Sequence, residues 1–157
     1  MKRLSSLILA MLLPLALGLA ACGGSSDDAG AADPAAAADG LSAEQVEKGI
    51  GPVQNMNLDA IDATLAAEGE ALFTTKCSAC HKMDQRYVGP ALGDVTERRT
   101  PEFVMNMILN PAEMVQKHPE AKAMLAQFMT PMPNQNLTQD EARAVLEYLR
   151  QAAAATQ

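Results

Sequence analysis

Apolar residues recur at helical spacing over four stretches of this chain, and apolar–polar alternation of period two is sustained nowhere. Ile61, Leu65, Leu72 and Phe73 mark the first stretch, which predicts a helix running on towards residue 77. Thr100-Pro101 then offers an N-cap followed by proline at the first helical position. Phe103 to Leu109 is apolar on every side except Asn106, which predicts a helix buried all round and stopped by Asn110-Pro111. Pro119 to Met129 is a third, weaker helical stretch. The last helix is the best signalled: Thr138-Gln139-Asp140-Glu141 forms a capping box, and Ala142, Val145, Leu146 and Leu149 make one apolar stripe. The pattern predicts an all-α domain over residues 61–157, with no internal repeat.

The first 60 residues follow other rules. Lys2 and Arg3 precede an apolar run from Leu4 to Leu19, and Ala20-Ala21-Cys22 closes it. This is the layout of a secretory signal peptide over residues 1–21, too short and too broken by Pro14 for a membrane span. Leu19-Ala20-Ala21-Cys22 resembles a bacterial lipobox, which implies cleavage before Cys22 and acylation of its thiol. The chain is then expected to face the periplasm as a lipoprotein. Gly23 lacks the aspartate associated with inner-membrane retention, so inner and outer membranes both stay open. Residues 22–60 read as the lipidated cysteine, a flexible tether of Ala, Asp and Gly up to about Gly40, and an N-terminal arm. In that arm Gly49-Ile50-Gly51-Pro52 is a turn signal, and Val53, Met56 and Leu58 are placed to pack on the domain.

Charge narrows the partners. The formal charge of −7 becomes −9 once residues 1–21 leave with Lys2 and Arg3. That balance argues against nucleic acid or an anionic lipid surface, and is compatible with a protein partner that presents a positive face. The domain is also poor in aromatics, with three Phe, two Tyr and no Trp in the whole chain, so its own core is modest.

Cys77-Ser78-Ala79-Cys80-His81 supplies what the core lacks. C-x-x-C-H is the attachment signature of c-type haem: each thiol adds to a vinyl group, and the histidine becomes the proximal iron ligand. A thioredoxin-like redox pair would want a βαβ pattern around it, and a zinc site a second ligand pair; His118 and Cys22 are all that remains to offer. With Cys77 and Cys80 committed to one covalent haem c, Cys22 would otherwise be an odd thiol in an exported chain, which favours its lipidation. Covalent haem attachment and export agree with each other.

Glu68-Gly69-Glu70-Ala71-Leu72-Phe73 ahead of this motif, Gly89-Pro90-Ala91-Leu92 after it and the terminal helix together resemble the class I cytochrome c family over residues 66–150. The resemblance implies the cytochrome c fold, with Gly69 and Phe73 crossing closely under Tyr148. It implies that the Pro90 carbonyl accepts from the imidazole of His81, and that Met132, in Pro131-Met132-Pro133-Asn134, is the distal iron ligand. Met129 is the rival, expected otherwise to end the preceding helix or line the pocket; Met105 and Met107 read as core filler. His118, in the polar run Gln116-Lys117-His118, reads as solvated. Arg98, Arg99 and Tyr87 are candidates to reach the haem propionates. Arg98 to Pro111 and Pro131 to Thr138 further resemble monohaem cytochromes of nitrous-oxide respiration, which would imply electron delivery towards a periplasmic copper reductase.

The expectation is a lipid-tethered electron carrier with respiratory redox partners and no catalytic residues of its own. The alternatives are a haem peroxidase, for which His118 is the available distal histidine, and a haem-based redox or gas sensor, which normally needs an output domain.

Overall fold

The computed structural model describes residues 40–156; the expected signal peptide, the expected lipidation site at Cys22 and the expected tether up to residue 39 lie outside the described residues. Among the described residues seven helices follow one another: α1 (Ala43–Lys48), α2 (Ala63–Lys76), α3 (Val95–Arg98), α4 (Pro101–Leu109), α5 (Pro111–Lys117), α6 (Pro119–Phe128) and α7 (Gln139–Ala155). No strand occurs among the described residues. The expected all-α class is what is found.

The boundaries have local causes. Asp62 caps α2, its carboxylate accepting from the amides of Thr64 and Leu65 at 2.8 and 3.1 Å, so the helix begins two residues after Ile61, which stays partly exposed. The Thr138–Glu141 capping box forms in full at the start of α7. Asn110-Pro111 turns a corner instead of ending the helical run. Pro101, Pro111 and Pro119 each occupy the first turn of a helix, where a missing N–H costs nothing, so one proline-punctuated stretch becomes α4, α5 and α6 in succession.

α2 and α7 cross at Gly69. A β-carbon built there would stand 1.9 Å from the Ala144 carbonyl oxygen and 3.0 Å from the β-carbon of Tyr148. Phe73 and Tyr148 meet beside the crossing, ring centroids 5.3 Å apart. The main core gathers Phe73, Val104, Met105, Ile108, Val145, Leu146 and Leu149 with Val53 of the arm, and Met56 and Leu58 pack against it.

The arm is fastened by side chains as well as by burial. Glu102, Asn106, Asn110, Met114 and His118 recur every fourth residue through α4 and α5 to the cap of α6, a spacing that keeps one face. Each meets the arm's backbone, in antiparallel order. Glu102 accepts from the Met56 amide (2.7 Å), and Asn106 from that of Val53 (3.0 Å). Asn110 donates to the Ile50 carbonyl (3.1 Å), and the Met114 sulfur accepts from the Ile50 amide (3.1 Å). His118 Nε2 lies 3.0 Å from the Val46 carbonyl.

His118 is therefore not solvated. It is fully buried, edge-on to Phe103 at 5.1 Å, and its Nδ1 accepts from the Glu120 amide at the start of α6. Polar neighbours in sequence misled the expectation; the arm, some 70 residues away in the chain, covers the ring.

Candidate functional site

The Cys77–His81 motif sits where α2 ends. The amide of His81 bonds the Cys77 carbonyl at 2.9 Å, one further helical turn, so Cys77, Cys80 and His81 lie at spacings of three and four and share a face. The Ser78 hydroxyl donates to the Thr74 carbonyl at 2.6 Å and steadies that turn. The segment after it closes on itself: the amide of Gly89 bonds the Cys80 carbonyl (2.8 Å), that of Leu92 the Lys82 carbonyl (3.0 Å), and that of Gly93 the Met83 carbonyl (2.8 Å).

This loop orients the imidazole. Nδ1 of His81 lies 3.0 Å from the Pro90 carbonyl oxygen, which can only accept, so Nδ1 carries the proton and Nε2 keeps a free lone pair. Gly89 completes the cradle. A β-carbon there would stand 2.5 Å from Cε1 of His81 and 2.9 Å from Nδ1, so any side chain at position 89 would displace the ring.

Cys77, Cys80 and His81 line a cavity of about 440 Å³. Phe73, Leu92, Val104, Ile108 and Val145 give it an apolar wall, and Arg98 and Arg99 reach it. Met132 lines it with Pro131 and Pro133 beside it. Met129 does not: it caps α6 in the left-handed conformation (φ 56°) and is 82% exposed. It ends its helix as expected, without lining the pocket. Tyr87 is also exposed, with the Lys82 ammonium 5.1 Å from its ring centre. Arg98 donates to the Ala91 carbonyl and to Asp94, and Arg99 pairs with Glu120 while lying over Phe103.

The residues fit a covalent haem. Two unbridged thiols and an imidazole with a free Nε2 share one apolar cavity with a thioether sulfur, and the glycine cradle holds the ring in place. Burial, with a smaller push from Cys80, raises the pKa of a free thiol at Cys77 to about 11. No group of three or more Cys, His, Asp or Glu with the proximity of a metal site occurs among the described residues.

Pattern reasoning missed Gly89 as a packing determinant and the arm's ladder entirely. Asn106 was the available signal for the ladder, a lone amide in an apolar helix with Glu102 and Asn110 four residues to either side.

Comparison with known proteins adds independent findings. A family model described as Cytochrome c matches residues 66–153. Cytochrome c-551 of Stutzerimonas stutzeri is 32% identical over 91 residues, covering 57% of this chain and 82% of that protein. Cytochrome c-551 of Ectopseudomonas mendocina is 31% identical over 84 residues, 53% of this chain and 95% of that one. The solved structure of a cytochrome c from Rhodothermus marinus is 49% identical, with a TM-score of 0.69, covering 71% of this chain and 97% of its own. That share is about 111 residues, more than residues 66–157 contain, so the likeness reaches back to residue 47 or earlier, across the whole of the arm between α1 and α2.

Proposed function

The chain belongs to the cytochrome c family, and we propose that it works as a lipid-anchored carrier on the periplasmic side of a bacterial membrane, passing single electrons between respiratory partners. It is an electron-transfer protein with one covalently attached haem c. When bound, the haem supplies an iron(III)/iron(II) couple. In this reading Cys77 and Cys80 hold the porphyrin through thioethers. His81 offers Nε2 to the iron, and the Pro90 carbonyl fixes its ring and raises its basicity. Met132 offers its sulfur as the distal ligand, from a loop that flanking prolines pre-set in an extended conformation. The apolar wall keeps water away, so little around the site needs to reorganise when the charge changes.

The carrying observation is that Cys77, Cys80, His81 and Met132 line one cavity, with His81 already turned by its bond to Pro90. The peroxidase alternative loses its distal base. His118 is buried against the arm, uses both ring nitrogens and does not line the cavity. No described helix is long and apolar enough to cross a membrane, and we assign attachment to acylated Cys22. The resemblance over Arg98–Pro111 and Pro131–Thr138 favours an acceptor such as nitrous-oxide reductase.

Met132→Ala tests the site. It should abolish the weak near-infrared sulfur-to-iron band of the oxidised protein and admit carbon monoxide to the reduced one; Met129→Ala should preserve the band. The reverse outcome would hand the role to Met129. Cys22→Ser should release haem-loaded protein into the soluble periplasmic fraction, and retention on salt-washed membranes would refute the anchor.

A further inference from the structure

Arg86 connects two stretches of chain that both lead into the cavity. Its guanidinium donates to the Gln127 carbonyl at 3.0 Å and lies 4.5 Å from the centre of the Phe128 ring. Gln127 is in the last turn of α6, where carbonyls lack helical partners, so the arginine serves as a side-chain cap supplied from another part of the chain. Phe128 itself lines the cavity. Met129 follows in the left-handed conformation, which is unfavourable for a residue with a β-carbon, and the chain reaches Met132 three residues later.

The other end of the connection is stiff. Arg86 sits in the loop after His81, whose backbone is closed by the Gly89, Leu92 and Gly93 amides. The stretch beyond Met129 is held more sparsely: Asn134 donates to the Leu109 carbonyl at 3.4 Å, and Met132 and Leu137 pack on the core. Residues 131–138 have no regular structure, and the hydrogen bonds of Gln135 and the Asn136 amide are to residues two positions away.

We propose that Arg86 is a positioning residue that fastens the Met132 segment to the His81 loop and so limits how often the distal iron position opens. This rests on the reading of Met132 as distal ligand. A charge-assisted hydrogen bond and a cation–π contact at an exposed site are each modest, so the clamp biases the segment without locking it; removing it should raise opening about tenfold.

The experiment uses the full haem-loaded protein and its Arg86→Gln and Arg86→Lys variants. Two quantities are read: the rate at which the reduced form binds carbon monoxide, and the denaturant concentration at which the near-infrared band disappears compared with that at which helical ellipticity falls. Arg86→Gln should bind carbon monoxide about tenfold faster and lose the band while its helices persist. Arg86→Lys keeps the charge and a donor but cannot lie flat on Phe128, and should fall between. Should the glutamine variant not be recovered with haem, the lysine variant decides by the same readings. A carbon monoxide rate within twofold of the parent, with band and ellipticity falling together, would overturn the clamp and leave the Met132 reading intact. Absence of the band from the unmutated protein would instead remove the Met132 reading and the clamp with it.

Discussion

Asn106 hydrogen-bonds both backbone groups of Val53: its Oδ1 accepts from the Val53 amide at 3.0 Å and its Nδ2 donates to the Val53 carbonyl at 2.8 Å. A side-chain amide on a helix thus imitates a neighbouring strand for one residue of the arm. The same Nδ2 also donates to the Lys48 carbonyl at 2.9 Å, and Asn106 is fully buried. Asn106→Ala leaves these arm groups without partners in a dry setting. We expect a loss of about 3 kcal/mol in denaturant unfolding, since each stranded buried group costs about 1–3 kcal/mol and some will find water. A loss below about 1 kcal/mol would mean that the arm is not held by this contact.

The ladder makes the arm part of the folded unit, although it precedes the residues matched by the family model. A chain beginning at residue 61 would bare the face of Glu102, Asn106 and His118, three polar side chains now buried. It should accumulate poorly with haem and melt well below a chain beginning at residue 40, which retains every rung. Equal melting temperatures for the two would reduce the arm to an accessory.

Gly89 allows the His81 ring to occupy its place, with less than a methyl group's clearance. Gly89→Ala should rotate or push the imidazole and weaken its bond to Pro90, because a contact of 2.5 Å cannot be accommodated without movement. The expected signature is a shifted reduction potential and altered ligand-field spectra at near-normal helical content. An unchanged potential would show that the loop can yield without moving the ring.

What could be read from the sequence was local in the chain. The Cys77–His81 turn, the Thr138 capping box and the stripe of α7 each depend on residues within a few positions of one another, and each was legible. Gly69 was legible because a glycine inside a helical pattern needs a reason, and the crossing helix at Ala144 is that reason. α5 was missed because proline reads equally as a stop and as a first-turn residue; Asn110 serves both helices as a cap. His118 was misread because its burial is decided by the backbone of Val46, and a backbone carbonyl leaves no mark in sequence. The same reason hid the rest of the ladder.

Glu147 gives the domain an acid-sensitive joint between its first and last long helices. Its carboxylate is fully buried on α7 and accepts from the Asp62 amide that precedes α2 (2.8 Å), from Arg150 and from Arg143. Arg150 also donates to the Asp59 carbonyl at 2.8 Å, so one cluster fixes where the arm enters α2. Burial opposes ionisation of Glu147, but the Asp62 amide and the two guanidinium groups outweigh it and hold the carboxyl below the ordinary glutamate range. A depressed folded-state value stabilises the protein above the unfolded value, and that contribution is lost as pH falls through the folded one. Stability should therefore decline below about pH 4.3, the unperturbed glutamate value. Glu147→Gln should cost about 3 kcal/mol at pH 7, the lower end for breaking a buried pair, because both arginines can still turn to water. It should also flatten the decline in acid, since glutamine has no proton to take up. Denaturant unfolding of both proteins from pH 7 to pH 3 provides the check: parallel curves would show that other carboxylates carry the acid response.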